Sequence, residues 1–344
     1  MTGLLASLLM IMLILDPKTG FSGAADAIHM CIQTVIPSLL PFIILSGIVT
    51  TSFVGTNPTF LKPIGRLCGI PSGGESLLLI GLIGGYPIGA QCIHKSYESG
   101  QISEADAQRM LGFCNNAGPS FIFGITASLF DSVYYAWIIW GIQILSAVLT
   151  GAILPCKSRD KCTSVTSSTP TIMRTVETSA KTMGIICTWI IAAKVILSYT
   201  EKLLAPLISK EILIPIAGLV ELSNGCICLR EINSPQLRFI YAAVLLTFGG
   251  ICVWLQIFSV TGKLNRRIFC MGKLLQSVIT IIISTGLSLF LFQERVISIK
   301  HFSLILLPAL VISVLIIKKT VALQKKVLYN VSNNSRKELY YALS

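Results

Sequence analysis

An all-α polytopic membrane protein, with about eight transmembrane helices plus two re-entrant hairpins forming an inverted repeat, is the fold that three features of this sequence predict. Of 344 residues, 53% are hydrophobic and 12% charged, against roughly 25% charged in a soluble domain. Apolar runs long enough to cross a bilayer recur from end to end. Two further runs are interrupted midway by Gly, Pro and polar residues. A soluble globule is excluded.

A crossing helix needs about 20 apolar residues. Residues 3–15 form a short first run that ends at Asp16-Pro17. It lacks the basic flank of a signal peptide, so it reads as a retained span, although AADA at 24–27 has the look of a cleavage site. Residues 28–54 are long enough to cross, with a break implied at Pro37 and Pro41. Residues 110–130 follow an amphipathic lead-in, ISEADAQRMLGF, whose Glu104 and Asp106 suit a helix start. Clear spans follow at 133–154, 176–200, 238–261, 270–292 and 296–317. The two interrupted runs are SLLLIGLIGGYPIGAQCI at 76–93 and ILIPIAGLVELSNGCICL at 212–229. Lipid offers no hydrogen bonds, so a broken backbone at membrane depth must be buried in protein or line a polar cavity. Both read as re-entrant hairpins.

Lys and Arg set the orientation. They concentrate in the linker 155–175, in the loop after 261 and in the tail 318–344, which places those segments and both termini in the cytoplasm. Alternation then puts Asp131 and the Glu294-Arg295 turn outside. The net charge of +12 suits basic loops held against anionic lipid. No basic stripe is interleaved with exposed aromatics, so nucleic acid is excluded as a partner.

GLIGGYPIG (81–89) followed by Phe113 recurs loosely as GLVELSNG (218–225) followed by Phe248, and Ser38 has a counterpart in Ser179. The first unit begins outside and the second inside. Such an inverted repeat is how secondary transporters hold substrate at mid-membrane between interrupted helices. Tight helix packing alone accounts for Gly81, Gly84, Gly85 and Gly89. It leaves Glu221, Ser223 and Asn224 unexplained.

The stretch GGYPIGAQCIHKSYESGQISEADAQRMLGFCNNAGPSFIFG at 84–124 resembles the YlbJ-type sporulation integral membrane protein family, within the Gate or nucleoside-recognition superfamily. PSLLPFIILSG at 37–47, GLVELSNG at 218–225 and FGGICVWLQ at 248–256 agree with it. The resemblance implies two Gate-type repeats, 1–154 (core 28–130) and 176–261, joined by the basic linker and followed by two additional spans over 262–317 and the tail. It further implies a multi-pass location in the cytoplasmic membrane of an endospore-forming lineage. The implied role is export of dipicolinic acid, or a similar small aromatic dicarboxylate, from the mother cell. A non-transporting scaffold for spore-envelope assembly and a nucleoside or cation carrier are the alternatives.

A carboxylate at mid-membrane is costly unless paired, protonated or bound to a cation, so Glu221 is the ion-coupling candidate, with a purely structural bond to backbone amides as its rival. Lys194 either snorkels to the interface or serves as counter-charge to an anionic solute. Asn115 and Asn116 offer amide donors and acceptors ahead of Gly118-Pro119. Gly85 and Tyr86 present backbone and a ring at the first interruption, and Ser223 and Asn224 stand at the second, while Gln256 is a further polar candidate within a span. An inverted pair should bring the Asn115-Asn116 and Glu221–Asn224 sites together around one cavity. Most of the eleven cysteines lie in apolar runs, where the thiol acts as a small hydrophobe. The Cys226/Cys228 pair lacks a third ligand nearby, and His29, His94 and His301 are far apart, so no metal site is expected. No P-loop, HExxH or GxSxG occurs. The chain therefore reads as a non-enzyme without a cofactor, its coupling ion (proton or Na+) and any homo-oligomer left open, its partners the lipid bilayer and a small anionic solute.

Single-cysteine labelling should find positions 160 and 330 inside and 131 and 295 outside. An impermeant reagent that reached position 160 from outside would remove the inverted-repeat argument.

Overall fold

A computed structural model describes residues 2–53, 58–154, 172–262, 264–292 and 315, and every regular element among them is helical. The chain opens with α1 (Thr2–Leu15) and α2 (Pro17–Met30), whose axes bend by 106° at Asp16. Asp16 caps α2 by accepting from Thr19 N–H at 3.3 Å and the Thr19 hydroxyl at 2.7 Å, and Pro17 fills a first-turn position that needs no N–H donor. The opening run is thus one arm of a bent pair rather than a straight span.

A π-helical turn at Cys31–Val35 carries α2 into α3 (Ile36–Phe53). The break expected at Pro37 and Pro41 is absent, and Pro41 sits inside the helix. The Ile36 amide donates five residues back to Cys31, and this wider turn makes room where the Pro37 ring would otherwise crowd the carbonyl four residues back.

A 3-10 turn and α4 (Lys62–Leu67) lead to the first hairpin, α5 (Glu75–Ile83) and α6 (Ile88–Glu98), interrupted at 84–87. Helix α7 (Glu104–Leu111) is capped by Ser103, whose hydroxyl accepts from Asp106 N–H at 3.2 Å. The expected span at 110–130 is not continuous. Helix α7 stops at Leu111, and α8 (Pro119–Leu129) begins only after an irregular stretch ending in Gly118-Pro119, because the extended Gly118 and the missing Pro119 N–H start a new helix instead of prolonging the old one. Helix α9 (Tyr134–Ile153) follows.

The second half comprises α10 (Ile172–Leu204), the hairpin α11 (Lys210–Val220) and α12 (Leu222–Cys228), then α13 (Pro235–Phe248), α14 (Gly250–Val260) and α15 (Arg266–Leu291). The expected span 238–261 is also divided: Gly249 and Gly250 adopt φ of +88° and +76°, a left-handed pair that side-chain-bearing residues rarely take. Among the described residues, four helical segments are long and apolar enough to cross a membrane: α9, α10, α13 with α14, and α15. The protein is a multi-pass, all-helical membrane protein. The expected last span at 296–317, the linker 155–171 and the tail lie outside the described residues, apart from Leu315.

The arms of each hairpin close on glycine. A Cβ on Gly225 would fall 2.0 Å from the Gly218 Cα and one on Gly89 would fall 2.9 Å from the Gly81 Cα, while one on Gly81 would fall 1.5 Å from the carbonyl oxygen of Cys114, beyond the hairpin. Helix α6 packs on α14 and α12 on α8, while α7 meets α15 and α9 meets α13. Each half therefore supplies partners to the other. Three apolar clusters result, and Tyr86 packs against two of them while Phe121 joins the second to the third. Leu8, Phe21, Trp137 and Ile185 point away from the protein interior.

Gly81→Ala should destabilise the fold by about 3 kcal/mol, the upper range for overpacking, whereas Gly141→Ala, where an added Cβ meets nothing within 4 Å, should be neutral or mildly stabilising. Thermal unfolding of the two purified variants in detergent checks this, and equal midpoints would refute the close approach at Gly81.

Candidate functional site: a cavity between two interrupted hairpins

A cavity of about 60 Å³ lies where these interruptions meet. The first half contributes Gly84, Gly85 and Tyr86 from the α5–α6 break and Gly118, Ser120 and Phe121 from the start of α8. The second half contributes Glu221, Leu222 and Ser223 from the α11–α12 break and Val253 and Gln256 from α14. Leu39, Ile43, Ile186 and Ile190 of α3 and α10 complete the apolar wall. The starts of α8 and α12 thus border one space, together with the turn that leads into α6, and helix N-termini carry partial positive charge.

Glu221 is 3% exposed. Its extended backbone separates α11 from α12, and its carboxylate accepts from Ser223 N–H at 3.0 Å and Asn224 N–H at 2.6 Å. Capping satisfies amides that lipid could not, and it holds the negative charge against the positive end of α12. The structural reading of this residue, a bond to backbone amides, is therefore present, and the same side chain borders the cavity. The Tyr86 hydroxyl, also at the cavity, is buried without a hydrogen-bond partner among the described residues. The Tyr86-Pro87 peptide bond is cis.

Of the residues singled out from sequence, Gly85, Tyr86, Glu221, Ser223 and Gln256 border the cavity, and Asn115, Asn116, Asn224 and Lys194 are not among its lining residues. Asn115 is fully buried and accepts from Ala90 N–H in the first turn of α6 at 3.2 Å. Asn116 donates to the Phe113 carbonyl at 2.7 Å and accepts from Lys273 and Gln276. Asn224 is 2% exposed, with its amide nitrogen unpartnered among the described residues. Lys194 pairs with Glu201 at 3.5 Å, one helical stretch along α10. Cys226 and Cys228 are free thiols, and among the described residues no group of three His, Cys, Asp or Glu side chains could hold a metal ion.

Sequence reasoning missed Ser120 and Phe121, whose signal was their place directly after Gly118-Pro119, in the first turn of a new helix. It also passed over Lys273, which is 1% exposed within α15. A charge inside a span is itself a functional flag, but the partners that would interpret it lie far off in sequence.

No family model matches the chain, and no solved structure matches it. Among curated proteins, the sporulation integral membrane protein YlbJ of Bacillus subtilis (strain 168) is 36% identical over 116 residues, a stretch covering 32% of this chain and 28% of that protein. Over that stretch, the chain is similar to the YlbJ-type sporulation integral membrane proteins.

Proposed function

We propose that this protein is a transporter for a small anionic metabolite, moved by alternating access between two inverted repeats of Gate type in the cytoplasmic membrane of a spore-forming cell. The observation that carries the reading is that both hairpin interruptions border one cavity, with the starts of α8 and α12 beside it. Interrupted helices that meet inside a membrane protein supply unpaired amides for anionic groups and free carbonyls for cations. The similarity to a sporulation membrane protein supports dipicolinate, exported from the mother cell, as the solute. Tyr86 and Phe121 would face its ring and the start of α8 at Ser120 a carboxylate. Glu221 would carry the coupling proton or Na+. No covalent step or cofactor enters this scheme.

On this reading the cavity walls move apart and together during the cycle, so that the cavity opens to one side of the membrane at a time. A non-transporting scaffold would have no use for a cavity between interrupted helices, and a nucleoside carrier would share the geometry while differing in solute.

Purified protein in lipid vesicles should accumulate dipicolinate, with competition by unlabelled dipicolinate and none by nucleosides. Glu221→Gln should abolish that accumulation while costing about 1 kcal/mol of stability for the weakened cap, so the amount in the membrane stays near wild type. Full activity in that variant would leave Glu221 as a cap alone. Absence of flux in the wild-type protein would favour the scaffold.

A further inference from the structure

Lys273 is buried outside the cavity, within α15. Its ammonium donates to the Gln276 side-chain oxygen at 2.8 Å, the Asn116 side-chain oxygen at 3.1 Å and the Thr247 carbonyl at 3.4 Å. Three N–H donors thus meet three acceptors, none of them a carboxylate. An ammonium held in a membrane interior by neutral acceptors alone is costly, and an apolar side chain of similar length would fill the same space more cheaply.

The three acceptors belong to different parts of the cavity's support. Asn116 lies two residues before Gly118 on the cavity wall, and its own amide braces the turn at Phe113. Thr247 lies in the last turn of α13, which ends at Phe248 just before the Gly249-Gly250 break, after which α14 brings Val253 and Gln256 to the cavity wall. A Cβ on Gly249 would meet the Tyr86 ring at 3.5 Å, so this break also abuts the first hairpin. Gln276 reaches Ser146 and the Gln143 carbonyl of α9 at 3.4 Å. The backbone beneath Lys273 has no slack, because a Cβ on neighbouring Gly272 would fall 2.7 Å from the Gly112 Cα.

We propose that Lys273 is the positioning residue of the cavity: from α15 it fixes the wall carried by α8 in one half to the wall carried by α14 in the other. Its effect on solute affinity rests on the transport reading above, whereas its effect on wall spacing does not. In cysteine-depleted full-length protein, Ser120→Cys and Gln256→Cys place one thiol on each wall, and a short bis-maleimide reports their spacing as cross-link yield. Lys273→Met should lower the yield severalfold at near wild-type membrane levels, Lys273→Arg should restore most of it, and Asn116→Leu, which removes one acceptor and keeps the lysine, should lower it as well. In vesicles, Lys273→Met should raise the half-saturating dipicolinate concentration about tenfold, equivalent to 1.4 kcal/mol, and leave the maximal rate within about twofold.

An unchanged cross-link yield in Lys273→Met, or no recovery in Lys273→Arg, would overturn the proposal. So would failure of both Lys273→Met and Asn116→Leu to accumulate, which would make Lys273 a folding residue. Wild-type protein without flux but with the expected cross-linking pattern would sink the transport reading and uphold the role of Lys273.

Discussion

A peptide group inside a bilayer has no water to bond, and this chain interrupts its helices repeatedly in spite of that constraint. Each interruption is closed by a nearby side chain. The Glu221 carboxylate takes two amides at the start of α12, and Asn115 takes the Ala90 amide in the first turn of α6. At the end of α13, the Trp254 indole donates to the Phe248 carbonyl and Lys273 to that of Thr247. The polar residues of the interior are thus backbone partners before they are anything else. A cavity arises because the interruptions of the two halves are packed beside one another, so the same requirement that repairs the backbone also gathers polar groups in one place.

This economy explains which parts of the molecule could be read in one dimension. Composition alone gives the membrane class, and clustered Gly, Pro and polar residues midway through an apolar run reveal both hairpins, since a broken backbone there must be buried in protein. The division of α13 from α14 is hidden because the run on either side of Gly249-Gly250 stays apolar, and a Gly pair in a membrane helix usually signals close packing. The stretch between α7 and α8 is masked in the same way by Phe113, Cys114 and Ala117. At Pro37, the error runs in the opposite direction: proline disfavours regular helix, yet a single wide turn absorbs it and leaves no break.

The cavity wall was legible chiefly where it falls on an interruption, as with Gly85, Tyr86, Glu221 and Ser223, and otherwise only at Gln256, a polar residue within a span. Asn115 and Asn116 were recognised as unusual, but residue type cannot tell a cavity-facing amide from one bonded inward, and both are bonded inward. Lys273 and Asn116 are 157 positions apart. No periodicity joins them, and their pairing becomes visible only once α15 is laid against the turn that precedes α8. Long-range polar pairs of this kind are the information that local pattern lacks.

Helix α10 is 33 residues long, about 50 Å at 1.5 Å per residue, against a hydrocarbon core of about 30 Å. Its charges mark depth like graduations on a ruler. Lys181 and Glu177 form an exposed pair towards one end, and from Lys181 to Lys194 the rise is only about 20 Å. If Lys181 sits at one surface, Lys194 lies some 10 Å beneath the other. Its ammonium runs towards that second surface to Glu201, about 10 Å further along the axis. From Lys181 to Glu201 the rise is about 30 Å, the full thickness of the core, so the same helix that supplies Ile186 and Ile190 to the cavity wall also matches the thickness of the surrounding lipid.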